Sequence, residues 1–300
     1  MKITFSFVLA MQCLFVFAQS NLPKNIEVIE QFKSDYVSSR TVYVRLPLDY
    51  DSTKRYSVLY MHDGQMLFKD LPTWNGQAWA VDSTINDLVA KDKIEDLILV
   101  GVSSISDIRH SNYFPEKPFL NIPNPLRDSI ASTKRGERPL FGKQVNSDYY
   151  LKFLVYELKP FIDETYATQK EAEHTLIAGS SMGGLISMYA FFEYPEVFGA
   201  AACLSTHWPG VMEQNEEVPR AFYNYLAARK SLLKGRKLYF DYGTKTLDAL
   251  YEIHQERVDE LFEASDFGGV YMSRQFEGAA HWEIAWRERF GGVLELLFSK

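Results

Sequence analysis

Gly179-Ser180-Ser181-Met182-Gly183 reads G-x-S-x-G, with an apolar segment, Thr175–Ala178, before it and a helix-compatible run, Leu185–Phe192, after it. Strand, tight turn and helix together form the setting in which this pattern lifts a serine hydroxyl above a sheet as a nucleophile. The glycines suit it because bulkier residues would clash where strand and helix close on the turn. Ser181 is the expected nucleophile. Ser180 suits the capping of the following helix better.

A serine hydroxyl is a poor nucleophile at neutral pH. It needs a histidine base, whose tautomer and charged form a carboxylate must hold. His207, His254 and His281 all follow Ser181. His254 lies among Glu252, Gln255 and Glu256 in a helical run and reads as solvated. His207, in Ser205-Thr206-His207-Trp208-Pro209, follows a strand and is placed to line a pocket. His281 follows the last strand through Gly278-Ala279-Ala280, where the chain order nucleophile, acid, base puts the base. His281 is therefore the expected base, with His207 the alternative. For the acid, Asp248 is favoured because it lies beyond the loop Gly243–Leu247. Asp241, still inside the strand, and Glu252 stay open. Asp248 also has the plainer reading of an acid at a helix N-terminus.

Acyl transfer develops an oxyanion that preorganised N–H groups should meet. The Met182 amide, just after the nucleophile, is one expected donor. The Gln65 amide, in His62-Asp63-Gly64-Gln65, is the other, with Gly64 letting the chain turn tightly. Trp74, Trp208 and Trp282 lie in loops at the expected active end, with His207 and Arg109 as further candidate substrate contacts; Trp79, Tyr113, Phe114, Phe119 and Arg127 are weaker ones. Such rings either stack on a sugar or an aromatic acyl group or simply pack the loops. No zinc-binding helix motif or cysteine cluster occurs, so neither metal nor cofactor is expected.

These groups need a scaffold. Strands are expected near Ile26–Phe32 and Arg40–Leu46, where polar and apolar residues alternate, and at Ser57–Met61, Leu97–Val102, Gly199–Leu204, Lys237–Tyr242 and Val270–Phe276. Helices are expected near Ala78–Lys91, Ser147–Tyr166, Ala221–Leu233 and Leu247–Glu263, and from about Glu283. Strands alternating with helices imply an α/β domain with a mostly parallel sheet covered on both faces. Residues from about 103 to 143 interrupt the pattern with five prolines and scattered aromatics. They read as a loop excursion over the active-site rim. With no internal repeat or linker, residues 20–300 read as one domain.

Hydrophobic content of 46% and charged content of 24% fit a globular enzyme, and an aromatic content of 15% is high. A net charge of −7 argues against nucleic-acid binding. Residues 1–19 carry Lys2, the apolar run Ile3–Phe17 and a small-residue exit at Ala18. They read as a signal peptide cleaved near Ala18, for a secreted or periplasmic protein. That run is too short to span a membrane, and no later segment is a span. Cleavage removes Cys13, whose preceding residues do not fit a lipoprotein site, and leaves Cys203 as a small buried hydrophobe with no disulfide partner.

The set Tyr60–Gln65, Gly179–Gly184, Asp241–Thr244 and Gly278–His281 resembles the esterase D-like family of α/β-hydrolases. That family includes feruloyl and acetyl xylan esterases, siderophore esterases and antigen 85-type mycolyltransferases. The resemblance covers roughly residues 25–298. It implies Ser181 as nucleophile, His281 as base, Met182 and Gln65 amides as the oxyanion hole, and it favours Asp248. Related chains often carry the acid directly after Gly-Thr-x, where this chain has Thr246. The leading expectation is a secreted serine carboxylesterase acting on a small-molecule or oligosaccharide ester, of feruloyl or acetyl type. Siderophore-ester hydrolysis, acyl transfer to a sugar and non-catalytic carbohydrate binding on the same scaffold are the competing readings. Oligomeric state is left open.

Overall fold

Val58–His62 and Ile98–Val102 are buried at every position, a pattern that suits a sheet covered on both faces. The computed structural model describes residues 22–69, 71–264 and 268–298. The signal-peptide reading and Cys13 fall outside the described residues.

Among those residues ten strands form: β1 (Ile26–Phe32), β2 (Arg40–Arg45), β3 (Val58–His62), β4 (Ile98–Val102), β5 (Lys134–Arg135), β6 (Arg138–Pro139), β7 (Thr175–Ser180), β8 (Ala200–Leu204), β9 (Lys237–Gly243) and β10 (Val270–Phe276). Eight of them build one sheet in the order β1-β2-β4-β3-β7-β8-β9-β10. The β1–β2 and β2–β4 pairs are antiparallel, and every pairing from β4 through β10 is parallel.

Side chains along the central strands alternate between two apolar clusters, as the period of two requires. Val58, Tyr60, Ile98, Val100 and Ile177 enter one cluster, and Leu59, Met61, Leu99, Leu176 and Ala178 enter the other. Helices cover both. Met182–Glu193, Glu217–Arg229 and Glu252–Glu263 contribute Leu185, Phe191, Phe222, Leu226 and Val258 to the first. Val81–Ala90 and Glu283–Phe298 contribute Ile85, Leu88, Phe290 and Leu294 to the second. Each fully buried aliphatic side chain of this kind contributes about 1.5–3 kcal/mol relative to exposure. This is the expected α/β architecture.

Several local expectations change. The stretch 103–143 holds short helices at Arg109–Tyr113, Glu116–Leu120 and Leu126–Ala131 and the two-residue strands β5 and β6. Helices of five or six residues are too short for periodicity to reveal. An edge-to-face aromatic group organises them: Phe114 meets Phe119 at 5.6 Å and Phe141 at 5.2 Å between ring centroids. The helix expected from Ala221 starts at Glu217, where the Asn215 side chain accepts the Val218 amide at 2.9 Å. His254 is half-buried and bonded to the Tyr223 hydroxyl at 2.7 Å rather than solvated. Cys203 is fully buried and unpaired.

Candidate active site

Register aligns the carboxyl ends of the central strands. Met61 faces Ala178, Ser180 faces Leu204, and Leu204 faces Asp241. The loops that follow β3, β7, β8 and β9 therefore cluster at one edge, where open parallel sheets build their sites.

Ser181 sits at the turn from β7 into the helix Met182–Glu193 with φ 59° and ψ −121°. For a non-glycine residue such a backbone costs about 1–3 kcal/mol and persists only where its surroundings impose it. Here they do. The Ser181 amide donates to Leu204 O at 2.9 Å, and the Ser181 carbonyl accepts the Leu185 and His207 amides, each at 3.2 Å. A Cβ at Gly179 would stand 2.7 Å from Gly183 O, so only glycine lets strand and helix approach this closely. The helix-cap position belongs to Ser181, whose side chain makes no cap bond; Ser180 ends the strand instead. The expected division of roles between the two serines is thus corrected at Ser180.

His281 is held from three sides. Its backbone amide donates to Thr246 Oγ1 at 2.8 Å. Its ring meets Trp286 at 4.9 Å and Tyr251 at 5.8 Å, both edge-on. Its Nδ1 bonds Asp248 Oδ1 at 2.5 Å. Asp248 is fully buried. Its Oδ2 accepts the Ser205 hydroxyl at 2.5 Å and the Gly243 amide at 2.6 Å. Burial alone would raise the Asp248 pKa. The His281 hydrogen bond and charge, the Ser205 hydroxyl and the Gly243 amide outweigh it and hold the carboxyl below its ordinary value.

Asp241 and Glu252 are elsewhere. Asp241 takes the Arg289 guanidinium through Nη2 at 2.7 Å and Nε at 3.1 Å. Burial outweighs this pairing and leaves its pKa raised. Glu252 accepts Gln275 Nε2 at an exposed position. Of the three acids weighed from sequence, Asp248 is the one the fold brings to His281.

The two candidate N–H donors lie on touching loops. Met182 opens its helix, so its amide lacks an intrahelical acceptor. Gln65 lies in a short turn, Gly64–Met66, and precedes that turn's first donor, the Met66 amide bonded to Asp63 O at 2.8 Å. The tight turn is made by Asp63, with φ 57°, and not by Gly64. Gly64 serves a close approach, since a Cβ there would meet the Gly101 carbonyl carbon at 2.6 Å. The Gln65 side chain is clamped by Ser104 through two hydrogen bonds of 2.8 and 3.0 Å. A Cβ on Gly183 would stand 3.5 Å from Asp63 Oδ2, which fixes how near the two loops are.

Arg109 grips Asp63 with two 2.8 Å bonds, through Nε and Nη2. That ion pair anchors the turn carrying Gln65, and the Arg109 side chain remains 29% exposed. Trp74 and Trp282 are exposed. Their neighbours tie the two loops together: Asn75 donates to Glu283 Oε2 at 2.7 Å across 208 residues of sequence.

The other aromatic candidates lie inside. Trp208 is fully buried against Phe240 and donates to Gln255 Oε1 at 3.2 Å. It cannot line an open cleft, because its strand-end position turns the ring into the core. His207 is buried too, bonded through Nδ1 to the Tyr251 hydroxyl at 2.8 Å and through Nε2 to Val211 O at 3.1 Å. Tyr113, Phe114 and Phe119 pack the excursion, and Trp79 stacks on Trp286 at 5.3 Å. Sequence reasoning missed Tyr251, Ser205, Trp286 and Arg289. Only Ser205, the first residue past β8, had a position that could have drawn notice.

Residues 35–296 match the Esterase family, whose description is "Putative esterase". The protein YjcH of Bacillus subtilis (strain 168) is 25% identical over 181 residues, which is 59% of this chain and 60% of YjcH. The match thus spans about three fifths of that curated relative. Among solved structures, a ferulic acid esterase aligns with a TM-score of 0.63 at 19% identity, covering 91% of this chain and 97% of the other. The enterobactin esterase FES from Shigella flexneri, solved in the presence of enterobactin, aligns with a TM-score of 0.61 at 19% identity, covering 93% of this chain and 60% of FES. At such identities the likeness speaks for the fold, and that fold is the α/β-hydrolase one.

Proposed function

The chain belongs to the Esterase family, and from that premise we propose that it is a serine carboxylesterase cleaving an acyl ester of a carbohydrate, of feruloyl or acetyl type. The observation that carries this reading is the bond of His281 Nδ1 to Asp248 Oδ1 at 2.5 Å, beside the backbone-strained Ser181 at the same sheet edge. With Nδ1 committed to the carboxylate, the His281 Nε2 lone pair is left to take the serine proton. Ser181 Oγ attacks the ester carbonyl, and the Met182 and Gln65 amides receive the developing oxyanion. His281 then passes its proton to the leaving alcohol. Water attacks the acyl-enzyme by the same route in reverse and regenerates Ser181.

Trp74 and Trp282 support a carbohydrate portion in the substrate. Exposed rings on loops at the active end of the sheet offer flat faces to sugar or ring-bearing ligands. Arg109, partly exposed beside the Gln65 turn, is the cation available to an anionic or phenolic group. The leader reading adds export with cleavage near Ala18, which N-terminal sequencing of the mature protein tests.

The decisive assay is turnover of p-nitrophenyl acetate by wild type and Ser181→Ala. Activity should fall by several orders of magnitude, and equal turnover by the two proteins refutes the nucleophile. A panel of feruloyl, acetyl and catecholate esters then ranks the carbohydrate reading against siderophore-ester hydrolysis.

A further inference from the structure

Asp63 makes the turn that carries Gln65, and its carboxylate lies beside both candidate N–H donors. Its backbone is left-handed, with φ 57° and ψ 47°, two residues before Gln65. Its Oδ2 stands 3.5 Å from where a Gly183 Cβ would be, one residue past Met182. The carboxylate therefore lies at the first turn of the helix Met182–Glu193, the end that attracts anions. The oxyanion of acyl transfer must form at this same place. An unmatched negative charge there repels a second one, and more strongly than it would in bulk water.

The excursion supplies the matching charge. Arg109 Nε and Nη2 each donate to a different Asp63 oxygen at 2.8 Å, so the guanidinium fork covers the whole carboxylate. Among the described residues no other cation forms an ion pair with Asp63. Tyr113, four residues on, shares a face of the helix Arg109–Tyr113. Its hydroxyl accepts the Asp63 amide at 3.3 Å, and Arg109 Cζ stands over its ring, 5.1 Å from the centroid. One short helix thus grips Asp63 by side chain and by backbone. Burial alone would raise the Asp63 pKa, but the Arg109 charge and hydrogen bonds outweigh it and hold the carboxyl below its ordinary value. The charge of Asp63 is matched by Arg109 and not removed by a proton.

We propose that Arg109 is a positioning residue that neutralises the Asp63 carboxylate, so that the turn-making acid does not oppose the oxyanion received by the Met182 and Gln65 amides. The inference rests on the esterase reading and on those two donors. It gives the helix Arg109–Tyr113 a part in the chemistry: it holds a cation against the one acid of the Gln65 turn. Arg109 acts through Asp63 and needs no contact with the reacting atoms. The consequence is an asymmetry. Removing the cation leaves a harmful charge beside the hole, whereas removing the acid leaves none.

The test compares kcat and KM on p-nitrophenyl acetate at pH 8, per folded molecule, in variants that break the same ion pair from either side. Arg109→Gln leaves the carboxylate unmatched, and kcat should fall about 10²-fold, the scale of losing an oxyanion donor. KM should hold, because this substrate has no net charge for Arg109 to bind. Asp63→Asn deletes the carboxylate, keeps a residue suited to the left-handed turn, and should lose about tenfold less than Arg109→Gln. Adding Asp63→Asn to Arg109→Gln should recover about tenfold in kcat. A clamp that only holds the turn in place gives equal losses in the two single variants and no recovery in the double. Either of those results overturns the proposal, as does a normal kcat in Arg109→Gln. If Arg109→Gln does not fold, Asp63→Asn decides alone, and a fall of about 10²-fold there overturns the proposal. A wild type no faster than Ser181→Ala instead removes the esterase reading and this inference with it.

Discussion

The Ser205 hydroxyl gives its proton to Asp248 Oδ2 at 2.5 Å because it has nowhere else to send it. Trp286 Nε1 at 2.8 Å and Arg289 Nη2 at 2.7 Å both donate to the same oxygen and occupy its lone pairs. The acid opposite His281 is thus backed by a hydroxyl whose direction is fixed by two further residues. Ser205→Ala should remove a charge-assisted bond from the carboxylate and leave the Trp286 N–H unpaired. Each loss is worth about 1–3 kcal/mol. Thermal melts should show the destabilisation, and kcat per folded molecule should fall about tenfold. A normal kcat in the folded variant would mean that Ser205 only supports packing.

Asp241 and Asp248 separate structure from chemistry. Asp241 is the closer partner of the buried Arg289 guanidinium, at 2.7 Å against 3.8 Å for Asp248 Oδ2, so Asp241→Asn should cost about 3 kcal/mol of stability by removing the carboxylate that bonds that charge directly. Turnover per folded molecule should stay within tenfold of wild type. Asp248→Asn should do the opposite, lowering kcat by about 10³–10⁴ through the wrong histidine tautomer. Urea titrations and steady-state kinetics on both variants decide, and the reverse pattern would move the acid to Asp241.

What was legible in the sequence followed from strong local constraints. The unbroken apolar runs of β3, β4 and β8 require burial on both faces, and the strand-turn-helix pattern around Ser181 requires an elbow. Loops past strand ends carried Gln65, Asp248 and His281 to one edge. Side-chain direction was not legible. Trp208 and Trp282 both sit in loops beside a histidine, yet one turns into the core and the other outward. The positive φ of Asp63 was hidden because the adjacent Gly64 looked like the turn maker, whereas its role is the approach to Gly101. Tyr251 and Arg289 act only through contacts tens of residues away, and nothing in their local sequence announces them.

Trp74 and Trp282 offer a selective test of the substrate class. Their loops are linked by the Asn75–Glu283 bond, and both rings face solvent. An aromatic contact contributes about 0.5–1.5 kcal/mol, so Trp74→Ala and Trp282→Ala should each raise KM about fivefold on an acylated oligosaccharide. On p-nitrophenyl acetate, which lacks a sugar, KM should not change. Equal effects on both substrates would mean that the rings support the loops and do not bind a sugar.

Acid should weaken the fold above the range in which ordinary carboxylates titrate. Burial pushes His62 and His207 down to about 3 and His110 to about 4. In the unfolded chain each returns to the ordinary value near 6.5. Below that pH the unfolded chain takes up protons that the folded chain refuses, so stability is complete above about 6.5, falls as pH drops toward 4 and then 3, and levels off below. The loss is about 1.4 kcal/mol per pH unit per histidine, or about 2 kcal/mol for each by pH 5. Urea unfolding at pH 7.5, 6.0 and 5.0 should show this decline, with a slope approaching three protons. His110→Gln, which keeps an N–H donor for Gly210 O, should lower the slope by one proton. Stability that stays level between pH 7 and 5 would contradict the burial of neutral imidazoles beneath the elbow and behind the Gln65 turn.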